Sequence, residues 1–375
     1  MKHHTESLTK SAPRTLSDEW SLLIVAILIS SLGLLNLYSS TYNPSLEQTG
    51  IYFWKQVLWT SMGWVLALIC WRVQSFWWER LTPLFYVGTL ILLAIVLGTG
   101  KSAGGAQRWL TLGSMNIQPS EISKIVTVMM LARYLERDWQ VQGLTLNQLW
   151  KPALWIILPF FFILLQPDLG TALVVFLTSV TMIFFGGMHR KAFLFLLSSG
   201  IGAAFVGWHS LLKEYQKERI LNFLDPARDP LGAGYHAIQS QIAIGSGGLT
   251  GKGFLEGTQS QLHFLPECHT DFAVAVWGEE WGFLGMLFLL GLYLYLAYLG
   301  LEIARQARDR FGLFLNLGII SLFLWQIVIN MAMTMGIAPV VGIPLPLFSY
   351  GGSSMIALFA ALGVMLSVSR RRSLF

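Results

Sequence analysis

The sequence predicts an all-α integral membrane protein of about ten transmembrane helices, and three observations predict it. Of the 375 residues, 54% are hydrophobic and only 12% charged, which excludes an ordinary soluble domain. Apolar runs near the length a bilayer demands recur at about residues 20–40, 52–71, 81–99, 119–136, 151–166, 169–187, 192–210, 272–302, 313–337 and 345–369. The short loops between them alternate in charge. One set carries Arg72 and Arg80, then Arg133, Arg137 and Lys151, then Arg190 and Lys191, then Arg305, Arg308 and Arg310, and finally Arg370, Arg371 and Arg372. Loops of the other set, such as 41–51 and 338–344, have no Lys or Arg. The positive-inside rule then places both termini in the cytoplasm with an even number of spans, in a multi-pass protein of a cytoplasmic (inner) membrane.

Taken in order, residues 1–19 form a polar cytoplasmic tail carrying Lys2, Lys10 and Arg14. The first apolar run lacks a small-residue cleavage site and reads as a retained helix. Residues 20–375 show no linker, so they form a single polytopic membrane domain. The net charge of +5 sits in the short loops and does not imply nucleic-acid binding. Two cysteines, Cys70 and Cys268, give neither a disulfide framework nor a metal spacing. One loop breaks the economy of the rest: residues 211–271, on the extracytoplasmic side, are long enough to be functional. Within it, Tyr235, Ile238 and Ile242 stand at helical spacing, which predicts a short amphipathic helix at the interface. His236 and Gln239 of that segment are carried as substrate contacts.

The residues that can carry chemistry cluster before predicted spans. Glu267, His269 and Asp271 fall within five residues, immediately before the run that opens at Ala273. An Asp there either caps the helix or stays charged for catalysis, and spacing alone leaves both open. In Gln118-Pro119-Ser120-Glu121-Ile122-Ser123-Lys124, Pro119 suits a first helical turn and Glu121 and Lys124 share a face. Lys124 is either half of a structural ion pair or a cation for a pyrophosphate near a helix N-terminus. Arg108 offers a fork of donors suited to phosphate, and Trp109 a flat face for a sugar or for the headgroup layer. Asp168, in Gln166-Pro167-Asp168-Leu169-Gly170-Thr171, is placed to cap the next helix. Arg219 opens the long loop among Asp225, Arg228 and Asp229. Glu279 and Glu280 lie two turns into a span, where each requires a cation, a proton or a cavity.

Together these stretches resemble the SEDS family of bacterial cell-wall proteins, the rod-shape (RodA-type) branch more closely than the division (FtsW-type) branch. The matching text is Gly105 to Trp109, Gln118 to Lys124, Gln166 to Thr171, Arg219 to Pro226 and His269 to Phe272. The rod branch is suggested by Asp229 to His236, Gly257 to Leu262 and Pro339 to Pro346. The resemblance implies a ten-span glycosyltransferase that polymerises lipid II on the outer face of the membrane beside a class B penicillin-binding protein. It also implies that Asp271 is the carboxylate essential for polymerisation and that Lys124 is the lysine of the Gln-Pro-Ser-Glu motif. Asn116 stands where the family often has Arg, and Cys268 where Arg or Ala is expected.

For such a reaction the acceptor hydroxyl needs a base and the departing pyrophosphate needs positive charge. Asp271 is the candidate catalytic residue, as that base or as the ligand of a divalent cation, Mg2+ or Mn2+. Arg108, Trp109, Glu121, Lys124, Arg219, His236, Gln239, Glu267 and His269 are the candidate substrate contacts. Two rival readings share the span count. A flippase for a lipid-linked precursor would line a path through the midplane with polar residues, and a non-catalytic scaffold would use the long loop only for docking.

Overall fold

The computed structural model describes residues 15–43, 48–103, 106–112, 115–138, 144–210, 214–225, 233–262, 264–265 and 267–369. Among them, ten helices of 16 residues or more lie over the ten apolar runs: α1 (Thr15–Thr41), α2 (Ile51–Arg72), α3 (Ser75–Thr99), α4 (Pro119–Arg137), α5 (Trp150–Leu165), α6 (Leu169–Phe185), α7 (Arg190–Ser210), α11 (Ala273–Arg305), α12 (Arg310–Thr334) and α13 (Gly352–Ser369). Five of them, α1, α3, α11, α12 and α13, are long and apolar enough to cross a membrane. Between α7 and α11, the long loop folds as α8 (Glu214–Leu224), α9 (Ala233–Ser246) and the single turn α10 (Thr258–Gln261). A main core is built by α1, α4, α6, α11, α12 and α13, whose facing side chains Leu22, Leu131, Met182, Leu289, Leu315 and Phe359 are excluded from solvent. Lys2, Lys10 and Arg14 of the tail, Arg228 and Asp229 of the loop, and Arg370 to Arg372 lie outside the described residues.

The described residues are nearly all helical, and the main exception lies between α3 and α4. Residues there form a small antiparallel meander of β3 (Lys101–Ala103), β4 (Ala106–Leu112) and β5 (Met115–Ile117), with Ala103 opposite Ala106 and Leu110 opposite Ile117. A second pair, β1 (Tyr42–Asn43) and β2 (Gln48–Thr49), joins α1 to α2. Short strands satisfy backbone groups that no helix reaches, and stretches this brief carry too little periodicity to be seen in the sequence. The predicted helix at 345–369 also starts late, at Gly352. Residues 338–351 run irregularly, because Pro344, Pro346 and the left-handed Leu347 (φ 61°) cannot continue a helix.

The helix expected in the loop is present as α9, and it docks on the bundle by small residues. Ser240 and Ala243 of α9 are buried against the bundle, with the Ser240 hydroxyl donating to the Thr334 carbonyl at 2.8 Å, whereas Ile242 is 45% exposed. Ser240 meets α12, and Ala243 packs with Ala275 and Val276 of α11.

The long span predicted from residue 272 is broken. At Gly282 the backbone turns to φ 62°, ψ −161°, so a short segment from Ala273 precedes the membrane-length part of α11. Glycine is required there, since a Cβ would stand 2.3 Å from the Gly251 nitrogen. Trp277 donates across the break to the Gly285 carbonyl at 2.9 Å. Glu279, fully buried, accepts from the Lys252 ammonium at 2.6 Å, from Thr258 Oγ1 at 3.0 Å and from the Gln259 amide at 3.1 Å. The cation that position calls for is therefore supplied by the glycine-rich loop. Glu280 takes the Ser39 hydroxyl of α1. Removing Lys252 as Met leaves a buried carboxylate uncompensated, and the expected cost is about 3–5 kcal/mol. A fall in the thermal midpoint of Lys252→Met that Glu279→Gln largely restores in the double variant is the outcome to look for.

Candidate active site

The turn before α11, the meander, and the starting turns of α4, α6 and α13 close around one cavity of about 880 Å3. Pro119 opens α4, as its spacing predicts, and directs Glu121 and Lys124 inward. Both are buried, and the ammonium sits 2.9 Å from each carboxylate oxygen. The expected ion pair exists, and it lines the cavity.

Asp168 caps α6, accepting from the Thr171 amide at 3.3 Å and its hydroxyl at 2.9 Å. It does more than cap: Gln118 Nε2 donates to it at 3.1 Å and Arg108 Nη1 stands 3.7 Å away. Arg108 also donates to the Pro167 carbonyl at 2.5 Å. The guanidinium is thus moored on one side to the α5–α6 turn while lining the cavity with Trp109.

Asp271 is held by its backbone. Asn330 of α12 donates its amide to the Asp271 carbonyl at 3.0 Å and to the Ile343 carbonyl at 2.7 Å. Next to it, the His269 ring stacks on Tyr52 with centroids 4.8 Å apart, and the Tyr350 amide donates to the His269 carbonyl at 2.9 Å. The carboxylate itself faces the cavity beside Gly342. It does not cap α11: the N-cap residue is Phe272, which makes no side-chain cap bond, and among the described residues no donor is seated on the Asp271 carboxylate. Burial pushes this carboxyl up to about 6; Glu267 adds to the push, while Arg219 and Arg108 pull against it. A partly desolvated carboxylate of this kind is a stronger base than a free one.

The cavity therefore gathers Asp271, Arg108, Trp109, Glu121 and Lys124 from the predicted set. The other predicted contacts lie elsewhere. Arg219 donates to the Val340 carbonyl at 3.3 Å and lines a separate small recess with Asn222 and Gln241. His236 stacks against Phe272, and burial lowers its pKa. Gln239 is half-buried on α9, outside the cavity wall. Glu267 is exposed and takes the Thr270 hydroxyl at 3.0 Å, while His269 serves the turn through its ring. None of these five lines the cavity: Arg219, His236 and Gln239 stand on α8 and α9, and Glu267 and His269 belong to the turn that carries Asp271. Sequence reasoning missed Lys55, an exposed cation on α2 that lines the cavity, because a single Lys within an apolar run belongs to no motif. Asn116, in the position where Arg was expected, is also on the wall, and its carbonyl accepts from Ser353 at 3.0 Å. No cluster of three His, Cys, Asp or Glu forms among the described residues. A divalent cation would have Asp271 and oxygens of the substrate as its ligands.

Comparison with known proteins gives the following likenesses. The family model for FtsW, RodA and SpoVE, described as "Cell cycle protein", matches residues 19–374. The peptidoglycan glycosyltransferase MrdB of Escherichia coli K12 is 43% identical over 316 residues, 84% of each chain. A solved chain described under "Structural coordination of polymerization and crosslinking by a peptidoglycan synthase complex" is 34% identical, with a TM-score of 0.79 over 95% of this chain and 98% of that one. The rod shape determining protein RodA of Thermus thermophilus is 30% identical, with a TM-score of 0.70 over 97% and 100%.

Proposed function

The chain belongs to the FtsW/RodA/SpoVE family, and from that premise we infer that it is a peptidoglycan glycosyltransferase of the rod-shape branch, one that polymerises lipid II at the outer face of the membrane. The observation that carries the chemistry is the meeting, in one cavity, of Asp271 with the cations Lys55, Arg108 and Lys124. Asp271 takes the proton of the acceptor 4-hydroxyl as its oxygen bonds to the anomeric carbon of the donor. The bond from that carbon to the pyrophosphate breaks, and the electron pair leaves with the lipid pyrophosphate, whose charge Arg108 and Lys124 offset. One displacement inverts the centre. Trp109 offers a flat surface for a sugar ring.

The rival flippase reading predicts its polar residues along the midplane, whereas the charged groups of this cavity come from the meander, the turn before α11 and the first two turns of α2, α4 and the α6 cap. Purified protein incubated with labelled lipid II tests the proposal: glycan strands are expected, and movement of lipid II across a vesicle without polymer would overturn it. The partner proposed is a class B penicillin-binding protein, in keeping with the synthase complex to which one similar solved chain belongs.

The proposed orientation has both termini inside and the 211–271 loop outside. Cys268 is a poor reporter of it, being buried with a thiol pushed up to about 11. Leu249, 70% exposed on the glycine-rich loop, is a better site. Leu249→Cys should react with a membrane-impermeant maleimide in intact cells, and reaction only after lysis would reverse the topology.

A further inference from the structure

The cavity carries a second concentration of positive charge, apart from the groups assigned to the leaving pyrophosphate. α13 begins on its wall, where Tyr350 to Ser354 all line it. Amides in the first turn of a helix have no intrahelical acceptor and carry the positive end of its dipole. Here none is supplied from outside: among the described residues no acceptor is seated on the amides of Gly352, Ser353 and Ser354. Ser354 is 9% exposed, and its hydroxyl, buried in the cavity wall, has no partner among the described residues either. A buried hydroxyl left unpaired is costly, so this one points to a group that the cavity receives.

Lys55 stands beside this helix start. Gln56, its neighbour on α2, accepts from the Gly351 amide at 3.2 Å and donates to the Ser349 carbonyl at 3.2 Å. Trp59, one turn after Lys55, covers Gly352 so closely that a Cβ there would stand 2.8 Å from the ring. Lys55 and Trp59 share that face of α2, and both line the cavity. The other cavity cations are matched by carboxylates, Lys124 by Glu121 and Arg108 by Asp168. Lys55 is exposed and has no carboxylate partner among the described residues. Gln118 separates it from Arg108: its side-chain amide donates to Asp168 at 3.1 Å and its backbone amide to the Ser353 hydroxyl at 3.2 Å. The wall thus runs from Arg108 and Asp168 through Gln118 to the start of α13, and on to Lys55.

Joining two lipid II molecules brings two pyrophosphates to one site: the donor's, which leaves, and the acceptor's, which stays. Arg108 and Lys124 serve the first in the mechanism above. We propose that the first turn of α13, with the Ser354 hydroxyl and the Lys55 ammonium, binds the second, the pyrophosphate that the acceptor keeps. Backbone amides at a helix N-terminus, a hydroxyl and a cation on a long stem are donors suited to phosphate oxygens. The assignment rests on the reading of this protein as a lipid II polymerase. It also has a kinetic signature. The retained pyrophosphate gains no charge as the glycosidic bond forms, so contacts to it are equally strong in the ground state and the transition state. Losing such a contact raises KM and spares kcat.

The test measures strand formation against lipid II concentration, beside lipid II binding to the non-turning-over Asp271→Asn. Lys55→Met is expected to raise KM at least about tenfold with little change in kcat at saturation, and Lys55→Arg to restore most of the loss. Ser354→Ala should raise KM while its thermal midpoint holds, because it deletes a hydroxyl that has no partner in the fold. Asp271→Asn should bind two lipid II molecules per chain, and adding Lys55→Met should weaken one of them at least about tenfold. A folded Lys55→Met with wild-type KM and binding, or one whose kcat falls while KM holds, overturns the proposal. So does phosphatidylglycerol in mixed micelles that competes with lipid II through Lys55 as well as unlabelled lipid II does, since the site would then take any anionic headgroup. A wild type that makes no polymer strikes the parent reading, and the binding measurements still decide the pyrophosphate site.

Discussion

Asp271→Asn is expected to abolish glycan-strand formation by a protein that remains folded. Asparagine keeps the shape of the side chain and removes its basicity, so a loss of about 10²- to 10⁴-fold is expected of a general base. Stability should move the other way. The carboxyl is raised from 3.8 to about 6 in the folded chain, mainly by burial. Folding thus favours its protonated form; that contribution is full below about 4 and is lost as pH rises through 6. At neutral pH the neutral amide is therefore as stable as the ionised wild type or more so. A capping Asp would behave differently on both counts: Asn caps nearly as well, and activity would survive. The same titration predicts that wild-type turnover rises with pH through about 6 and levels off above it. Polymer yield from purified wild type and Asp271→Asn, with thermal midpoints measured beside it, decides the matter. Normal strands from the Asn variant would return this residue to a structural role.

Much of this arrangement was legible in the residues because local rules govern it. Pro119 at a first turn, Glu121 and Lys124 three apart, and Asp168 before Leu169 each follow from helix geometry within one element. The positions of ten apolar runs follow from composition alone. The rest depends on contacts far apart in sequence. Nothing near Gly282 announces a break, since it is set by the approach of Gly251, 31 residues away on the docked loop. Lys55 reaches the cavity because α2 packs on α13, and His236 and Glu267 miss its wall because α9 and the turn face another way. Periodicity placed Tyr235, Ile238 and Ile242 on one face of a helix at the interface, but which residues dock on the bundle, Ser240 on α12 and Ala243 beside Ala275 and Val276 of α11, is set by long-range packing.

Lys124→Met is expected to be both destabilised and inactive, and the two effects separate in a double variant. The pair is buried, with side chains 3% and 5% exposed, so removing the cation strands a carboxylate at an expected cost of about 3–5 kcal/mol. Methionine keeps the apolar stem, which confines the loss to the charge. Glu121→Gln/Lys124→Met removes both charges and should recover most of that stability, because a matched neutral pair no longer strands either partner. Activity should not recover. If Lys124 offsets the charge that develops on the leaving pyrophosphate, turnover stays down by about 10²- to 10³-fold in the single and the double variant alike. If its only task is to neutralise Glu121, the double variant polymerises lipid II at the wild-type rate as soon as it folds. Thermal midpoints and strand formation measured on the wild type, both single variants and the double variant complete the cycle, and a folded, fully active double variant would remove Lys124 from the mechanism and leave Arg108 and Lys55 as the cations available to the pyrophosphate.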